Sequence, residues 1–332
     1  MQKLGKSSIE ISNIVFGAWA IGGWFWGGTD DREAIRAIHA SIYSGVDTFD
    51  TAPVYGFGHS ESILGNALAG RRHNVKILTK IGLRWDSEIG AHFFDVPPDE
   101  GNKRIFRNLR PSSIRYEVEQ SLRRLQTDYI DLLQCHWPDP SHPVEDTMNT
   151  LKQLQQEGKI RAIGVSNFDV SLLERSTSAL GDTPLASNQP RYSLLNRRIE
   201  RDVLPWLVEN QVDAIVYSPI EQGLLAGAVP PDRVFPPGDG RIKNPMFRPH
   251  NRIAILAALD AINPLCEKYN CNYAQLCSAW CFHRPGVRAA IVGARNEQQA
   301  IENAHSATLK LSAEDVHFLT QHFASLRCCR KP

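Results

Sequence analysis

Short apolar runs alternate with amphipathic segments from one end of the chain to the other. Eight runs read as strands: Ile14–Trp19, Val46–Asp50, Val75–Lys80, Ile130–Cys135, Arg161–Ser166, Leu185–Gln189, Ala214–Ser218 and Ala289–Val292. All are β-branched or Leu-rich and too continuously apolar to leave one face in water, which is the pattern of a parallel sheet covered by helices. Between them, Asp30 and Glu33 read as a capping box ahead of Ala34, Ile35, Ile38 and Ile42. Ser112 is the expected cap of a helix with Ile114, Val118, Leu122 and Leu125 on one face. Glu145–Gln156 and Glu297–His305 read as helices as well. Eight β/α units in 332 residues favour an α/β fold, a (β/α)8 TIM barrel, over an open doubly wound sheet. No G-x-G-x-x-G follows an early strand to support the second. No linker interrupts residues 1–332, so a single barrel domain is expected.

Two connections are long for β/α loops: Leu83 to Arg110 after the third run, and the Pro- and Gly-rich Pro219 to Pro249 after the seventh. Both follow strands, so both belong to the face where barrel enzymes keep their chemistry, and the second reads as an active-site lid. A net charge of +1 gives no electrostatic footprint for nucleic acid or an acidic membrane. Met1 to Ile14 lacks the pattern of a signal peptide and no apolar run approaches a membrane span, which makes a cytoplasmic location the expectation. Seven cysteines argue against a secreted disulfide framework. Cys266, Cys271, Cys277 and Cys281 lack a paired C-x-x-C, so they read as thiols and no metal site is expected.

Four proton-handling groups end or follow successive runs. Asp50 closes the second, Tyr55 follows it on an Ala52-Pro53 turn, Lys80 closes the third and His136 follows the fourth. Reduction of a carbonyl by hydride needs a proton or strong donors at the oxygen as negative charge develops there. A tyrosine can give that proton, but its unperturbed pKa of about 10 makes it a weak acid. A neighbouring ammonium is expected to lower that pKa, and a carboxylate behind the lysine to hold it in place. Tyr55, Lys80 and Asp50 suit these roles, with His136 orienting the carbonyl oxygen.

At these residues the sequence resembles the aldo-keto reductase superfamily, and its bacterial branch related to potassium-channel β subunits. Gly45–Asp50 with Tyr55 matches the first signature, and Lys80 and His136 match the other two tetrad positions. The resemblance runs from Leu4-Gly5 to Asn303. It implies a (β/α)8 barrel, NADP(H) bound without a Rossmann domain, and hydride delivery from nicotinamide C4 while Tyr55 protonates the oxygen. Ala18, Trp19 and Asp50 then lie near the nicotinamide ribose. Ser166 and Asn167, in Gly164-Val165-Ser166-Asn167-Phe168, and Gln189 hold the carboxamide, and Tyr217 stacks on the ring. Ser218, Pro219, Ile220, Gln222, Gly223, Leu224 and Gly227 resemble the pyrophosphate segment. Many relatives place Lys next, where this chain has Ala228, so the phosphate charge must be met elsewhere, with Arg241 the candidate. Gly293, Arg295, Gln299, Glu302 and Asn303 resemble the adenosine site, with Arg295 on a 2′-phosphate.

Trp24, Trp26, Trp85 and Trp137 all follow strands and suggest an aromatic-walled substrate pocket. The partner expected is a small carbonyl compound. An NADPH-binding regulatory or redox-sensing subunit with slow turnover is the alternative. The tetrad does not separate the two, and the short N-terminus leans toward the enzyme. A metal-dependent sugar isomerase would need ligands at several more strand ends than Asp50 and His136.

Overall fold

The computed structural model describes residues 2–23, 28–97, 101–235, 239–324 and 326. The eight apolar runs form strands β1 (Ile14–Gly17), β2 (Thr48–Asp50), β3 (Lys76–Ile81), β4 (Ile130–Cys135), β5 (Ile160–Ser166), β6 (Leu185–Gln189), β7 (Asp213–Tyr217) and β8 (Val287–Gly293). They pair in chain order, all parallel, and β8 closes on β1 to complete a barrel. Each strand falls within two residues of its expected bounds.

Inside the barrel, Val15, Leu78, Leu132, Ala162, Ile215, Ala289 and Ile291 pack from facing strands. Gln2–Lys3 and Glu10–Ile11 form a short antiparallel hairpin, and Leu4, Ile9 and Ile11 join this interior cluster. The hairpin therefore closes the N-terminal end of the barrel with apolar side chains. Outside, a larger cluster fills the space between the strands and the ring of helices.

Three expectations need correction. Asp30 caps the helix Asp31–Tyr43 by accepting from Arg32 N and Glu33 N, but Glu33 turns to Arg36, so half the capping box forms. The helix Pro111–Leu125 begins at Arg110, with Pro111 at its first position and no side-chain cap, so Ser112 lies inside it. Proline's fixed φ is already helical and its missing N–H has no partner to lose there. The connection after β3 is not a loop: Leu83–Arg84, Arg104–Arg107 and Ala91–Asp95 make an antiparallel sheet. Among the described residues, the connection after β7 holds only short 3-10 turns before the helix Pro249–Asp260. Among the described residues no helix is long and apolar enough to cross a membrane.

Candidate active site

Strand side chains alternate between faces, so Leu132, Gln134 and His136 climb the inside of β4 as Leu78 and Lys80 climb β3. In register, Lys80 stands beside Gln134, and Gln134 beside Gly164 of β5. Apolar residues thus fill the lower barrel and a polar layer lies above them. Lys80 is fully buried, and its ammonium donates to Asp50 Oδ1 at 2.5 Å, Thr51 O at 2.9 Å and Tyr55 Oη at 3.3 Å. All three N–H donors are used. Asp50 Oδ2 accepts from Gln189 Nε2 at 2.8 Å and Gln134 Nε2 at 3.2 Å. A buried ion pair is tolerated only when such further bonds satisfy both ions, and removing one partner costs about 3–5 kcal/mol.

The expected tetrad therefore assembles from the ends of three neighbouring strands and one loop. Its electrostatics differ in one respect from expectation. Burial raises the Tyr55 phenol above its ordinary pKa, and the nearby Lys80 charge offsets this only in part. The phenol is held protonated at neutral pH. Burial pulls the Lys80 ammonium down, but the Asp50 charge and the hydrogen bonds to Asp50 and Tyr55 outweigh it and the net shift is upward. His136, whose ring stands edge-on to Tyr55 at 5.6 Å, lies well below its usual pKa because it is buried and faces the Lys80 charge. It is neutral at pH 7.

A hydrogen-bonded chain borders the tetrad. Ser166 Oγ donates to Gln189 O at 2.7 Å, Asn167 Nδ2 to Ser166 Oγ at 2.9 Å and to His136 O at 3.1 Å. Tyr217 Oη donates to Asn167 Oδ1 at 2.9 Å, and burial pushes the Tyr217 phenol up to about 12. Asn167 takes a left-handed backbone, φ +61°. Ala18 N donates to Asp50 O at 2.8 Å, which ties the end of β1 to β2.

Beside this chain a cleft of about 280 Å³ is lined by Trp19, Arg191, Tyr217, Ser218, Gln222, Asp239, Gly240, Arg241 and Asn244. Its floor is the segment after β7, where Ser218, Glu221, Gln222, Gly223 and Gly227 all have left-handed backbones. These are tight turns closed on themselves: the N–H groups of Glu221, Gly223, Leu225 and Gly227 donate to the carbonyls of Ser218, Ile220, Ile220 and Leu224. Pro219 and Leu224 of the segment are buried beneath it, and Ile220 packs against the core. Arg241 forks onto Asp239, at 2.6 and 2.9 Å, and lies over the Phe235 ring. Arg191 forks onto Glu221, a fully buried carboxylate that also accepts from Ser193 Oγ at 2.7 Å.

The residues expected at the adenosine end lie at and after the end of β8. Arg295 is exposed and donates to Gly28 O at 3.0 Å, while its N–H is held by Gln299 Oε1 at 2.9 Å. Asn303 Nδ2 donates to Gly293 O at 3.0 Å, and Glu302 accepts from Gln298 at 2.7 Å. Trp85 and Trp137 join Tyr55, Phe57, Phe93 and Phe94 in an aromatic cluster over the buried residues of the antiparallel sheet. Trp24 and Trp26 lie outside the described residues. Sequence reasoning missed Gln134, Arg191, Phe57 and Phe93. A polar residue inside the apolar run Ile130–Cys135, two before His136 and so on the same face, was the available signal for the first. Among the described residues no group of three or more His, Cys, Asp or Glu side chains is arranged to hold a metal.

Comparison with known proteins agrees with this geometry. The model of the Aldo/keto reductase family matches residues 13–323. The chain is 37% identical over 315 residues to aldo-keto reductase YhdN of Bacillus subtilis, covering 94% of this chain and 90% of that protein. It is 36% identical over 324 residues to the NADH-specific methylglyoxal reductase of Escherichia coli, covering 96% of both. The glycerol dehydrogenase AKR11B4 from Gluconobacter oxydans superposes with a TM-score of 0.84 at 38% identity, over 96% of this chain and 93% of that one.

Proposed function

Because the chain belongs to the aldo/keto reductase family, whose enzymes use nicotinamide cofactors, we propose that it reduces an aldehyde or ketone with NADPH and oxidises the alcohol in reverse. The observation that carries this reading is the buried Lys80 Nζ lying 3.3 Å from the Tyr55 phenol and 2.5 Å from the buried Asp50 carboxylate. Tyr55, protonated at rest, gives its proton to the substrate oxygen. The Lys80 ammonium stabilises the phenolate left behind, and Asp50 keeps that ammonium charged and fixed. Neutral His136 hydrogen-bonds the same oxygen and orients the carbonyl.

The donor set fits a dinucleotide. Tyr217 offers an aromatic platform, Ser166, Asn167 and Gln189 offer amide and hydroxyl partners for a carboxamide, and Trp19 borders the same cleft. Arg191 and Arg241, beside Ser218 and Gln222 in the cleft, suit the diphosphate. Arg295, Gln299, Glu302 and Asn303 would hold the adenosine end. When bound, the nicotinamide supplies the hydride from its C4. Relatives named for methylglyoxal reduction and for glycerol oxidation support a small oxygenated substrate, with Trp85 and Trp137 as its walls.

The test is a panel of small aldehydes, ketones and sugars followed by NADPH absorbance, with Tyr55→Phe alongside. Loss of the general acid lowers turnover about 10²- to 10⁴-fold. Dinucleotide affinity by fluorescence titration should be nearly unchanged. Retained turnover in Tyr55→Phe removes the assigned proton donor, and no turnover of any carbonyl by the parent chain removes the reading itself.

A further inference from the structure

The carboxylate that holds Lys80 is itself held, by amides from two strands, β4 and β6. Gln134 is fully buried, donates from Nε2 to Asp50 Oδ2 at 3.2 Å and accepts at Oε1 from Gln189 Nε2 at 3.1 Å. A carboxylate only accepts, so it fixes which way both amides point. Gln189 donates to Asp50 at 2.8 Å, so two amides converge on one carboxylate oxygen while Lys80 takes the other. The barrel makes room for this at Gly164, the β5 neighbour of Gln134. A Cβ on Gly164 would lie 3.0 Å from Gln134 Cγ and 2.8 Å from Ser187 Oγ. Its backbone φ is not left-handed, so the glycine answers to the close approach of Gln134 and Ser187, not to a turn.

We propose that Gln134 is the positioning residue of the proton-donor site, which sets the Asp50 carboxylate so that Lys80 lies against Tyr55, through a notch provided by Gly164. It acts through Asp50 and touches neither substrate nor the reacting atoms. The proposal rests on the reading of Asp50, Lys80 and Tyr55 given above. It adds a requirement that those residues alone do not carry: the amide donor at position 134 must be present for the ammonium to sit within reach of the phenol.

Two variants test it. Gln134→Leu keeps the volume and removes the donor, and turnover should fall about tenfold or more while NADPH affinity, by fluorescence titration, changes little. Gln134→Glu keeps the shape and places a carboxyl against Asp50 Oδ2. Protonated, it donates as the amide does. Ionised, it faces a like charge, so its folded-state pKa is raised. Stability from that group is present below the unfolded carboxyl pKa and lost as pH rises through the folded value. The thermal midpoint of the ligand-free variant should therefore fall more steeply with rising pH than that of the parent chain, and turnover should fall with it. Parent-like turnover in Gln134→Leu overturns the proposal. So does lost turnover in Gln134→Leu combined with a parent-like pH slope in Gln134→Glu, which would mark Gln134 as packing alone. Tyr55→Phe run in parallel separates the two readings. If it stays active, the proton-donor assignment fails, whereas an inactive Tyr55→Phe with a parent-like Gln134→Leu sinks only the role of Gln134.

Discussion

Lys80 spends each of its N–H donors inside the barrel, on a carboxylate, a carbonyl and a phenol. That arrangement keeps the ammonium charged although burial opposes it. At the other end of the candidate dinucleotide site, Arg295 is exposed, and one of its guanidinium nitrogens is engaged with Gly28 O. A charged hydrogen bond to a 2′-phosphate contributes about 1.5–3 kcal/mol. Arg295→Ala should therefore weaken NADPH about 10- to 100-fold and NADH hardly at all, measured as dissociation constants. Equal losses for both dinucleotides remove the phosphate role. The comparison matters because a relative 36% identical is named as NADH-specific.

The helix Pro111–Leu125 illustrates how one element braces the site from behind. Its buried Glu117 accepts the Gly82 N–H with both carboxylate oxygens, at 3.0 and 3.1 Å, just past the end of β3 that carries Lys80. Burial pushes the Glu117 carboxyl up to about 8, with the Arg84 guanidinium pulling the other way. The folded value lies above the unfolded one, so Glu117 stabilises the fold fully below the unfolded carboxyl pKa. That contribution is lost as pH rises through about 8. Thermal melts of Glu117→Gln from about pH 6 to 9 should lose less stability than those of the parent chain. Parallel slopes for the two proteins rule the account out. No periodicity announced this, because Glu117 is one of several charged positions on the helix, and only packing makes it a buried acid.

Across the whole molecule, chemistry and stability separate by end. Lys80, Asp50 and His136 sit where strands finish, while Leu4, Ile9 and Ile11 close the end where strands begin. Truncating a fully buried plug residue removes contacts and leaves a cavity, so Ile11→Ala should cost about 2–5 kcal/mol in urea unfolding. Turnover per folded molecule should stay at the parent value, as this end is remote from the polar layer. A selective loss of turnover without loss of stability contradicts that division.

The sequence by itself determined the barrel and the gathering of Asp50, Tyr55, Lys80 and His136 on one rim. Eight apolar runs can be buried on both faces only in a parallel sheet under helices, and strand ends in such a sheet converge on one rim. Asp50, Tyr55, Lys80 and His136 were therefore readable from position and chemistry. Strand edges were read less sharply. Trp19 leaves β1 and Asp47 precedes β2 because strand length is set by pairing with both neighbours, not by hydropathy. The antiparallel sheet after β3 was read as loop, since its strands are short, Ala91–Asp95 is half exposed, and the sheet packs through Phe57, Trp85, Phe93 and Trp137 above the barrel. Only the tertiary structure decided that Tyr55 rests as a protonated phenol, that Arg191 and Arg241 share one cleft, and that Gln134 and Gly164 complete the polar layer. Each of these depends on distances between strands far apart in the chain, which burial and close approach fix and which no local pattern records.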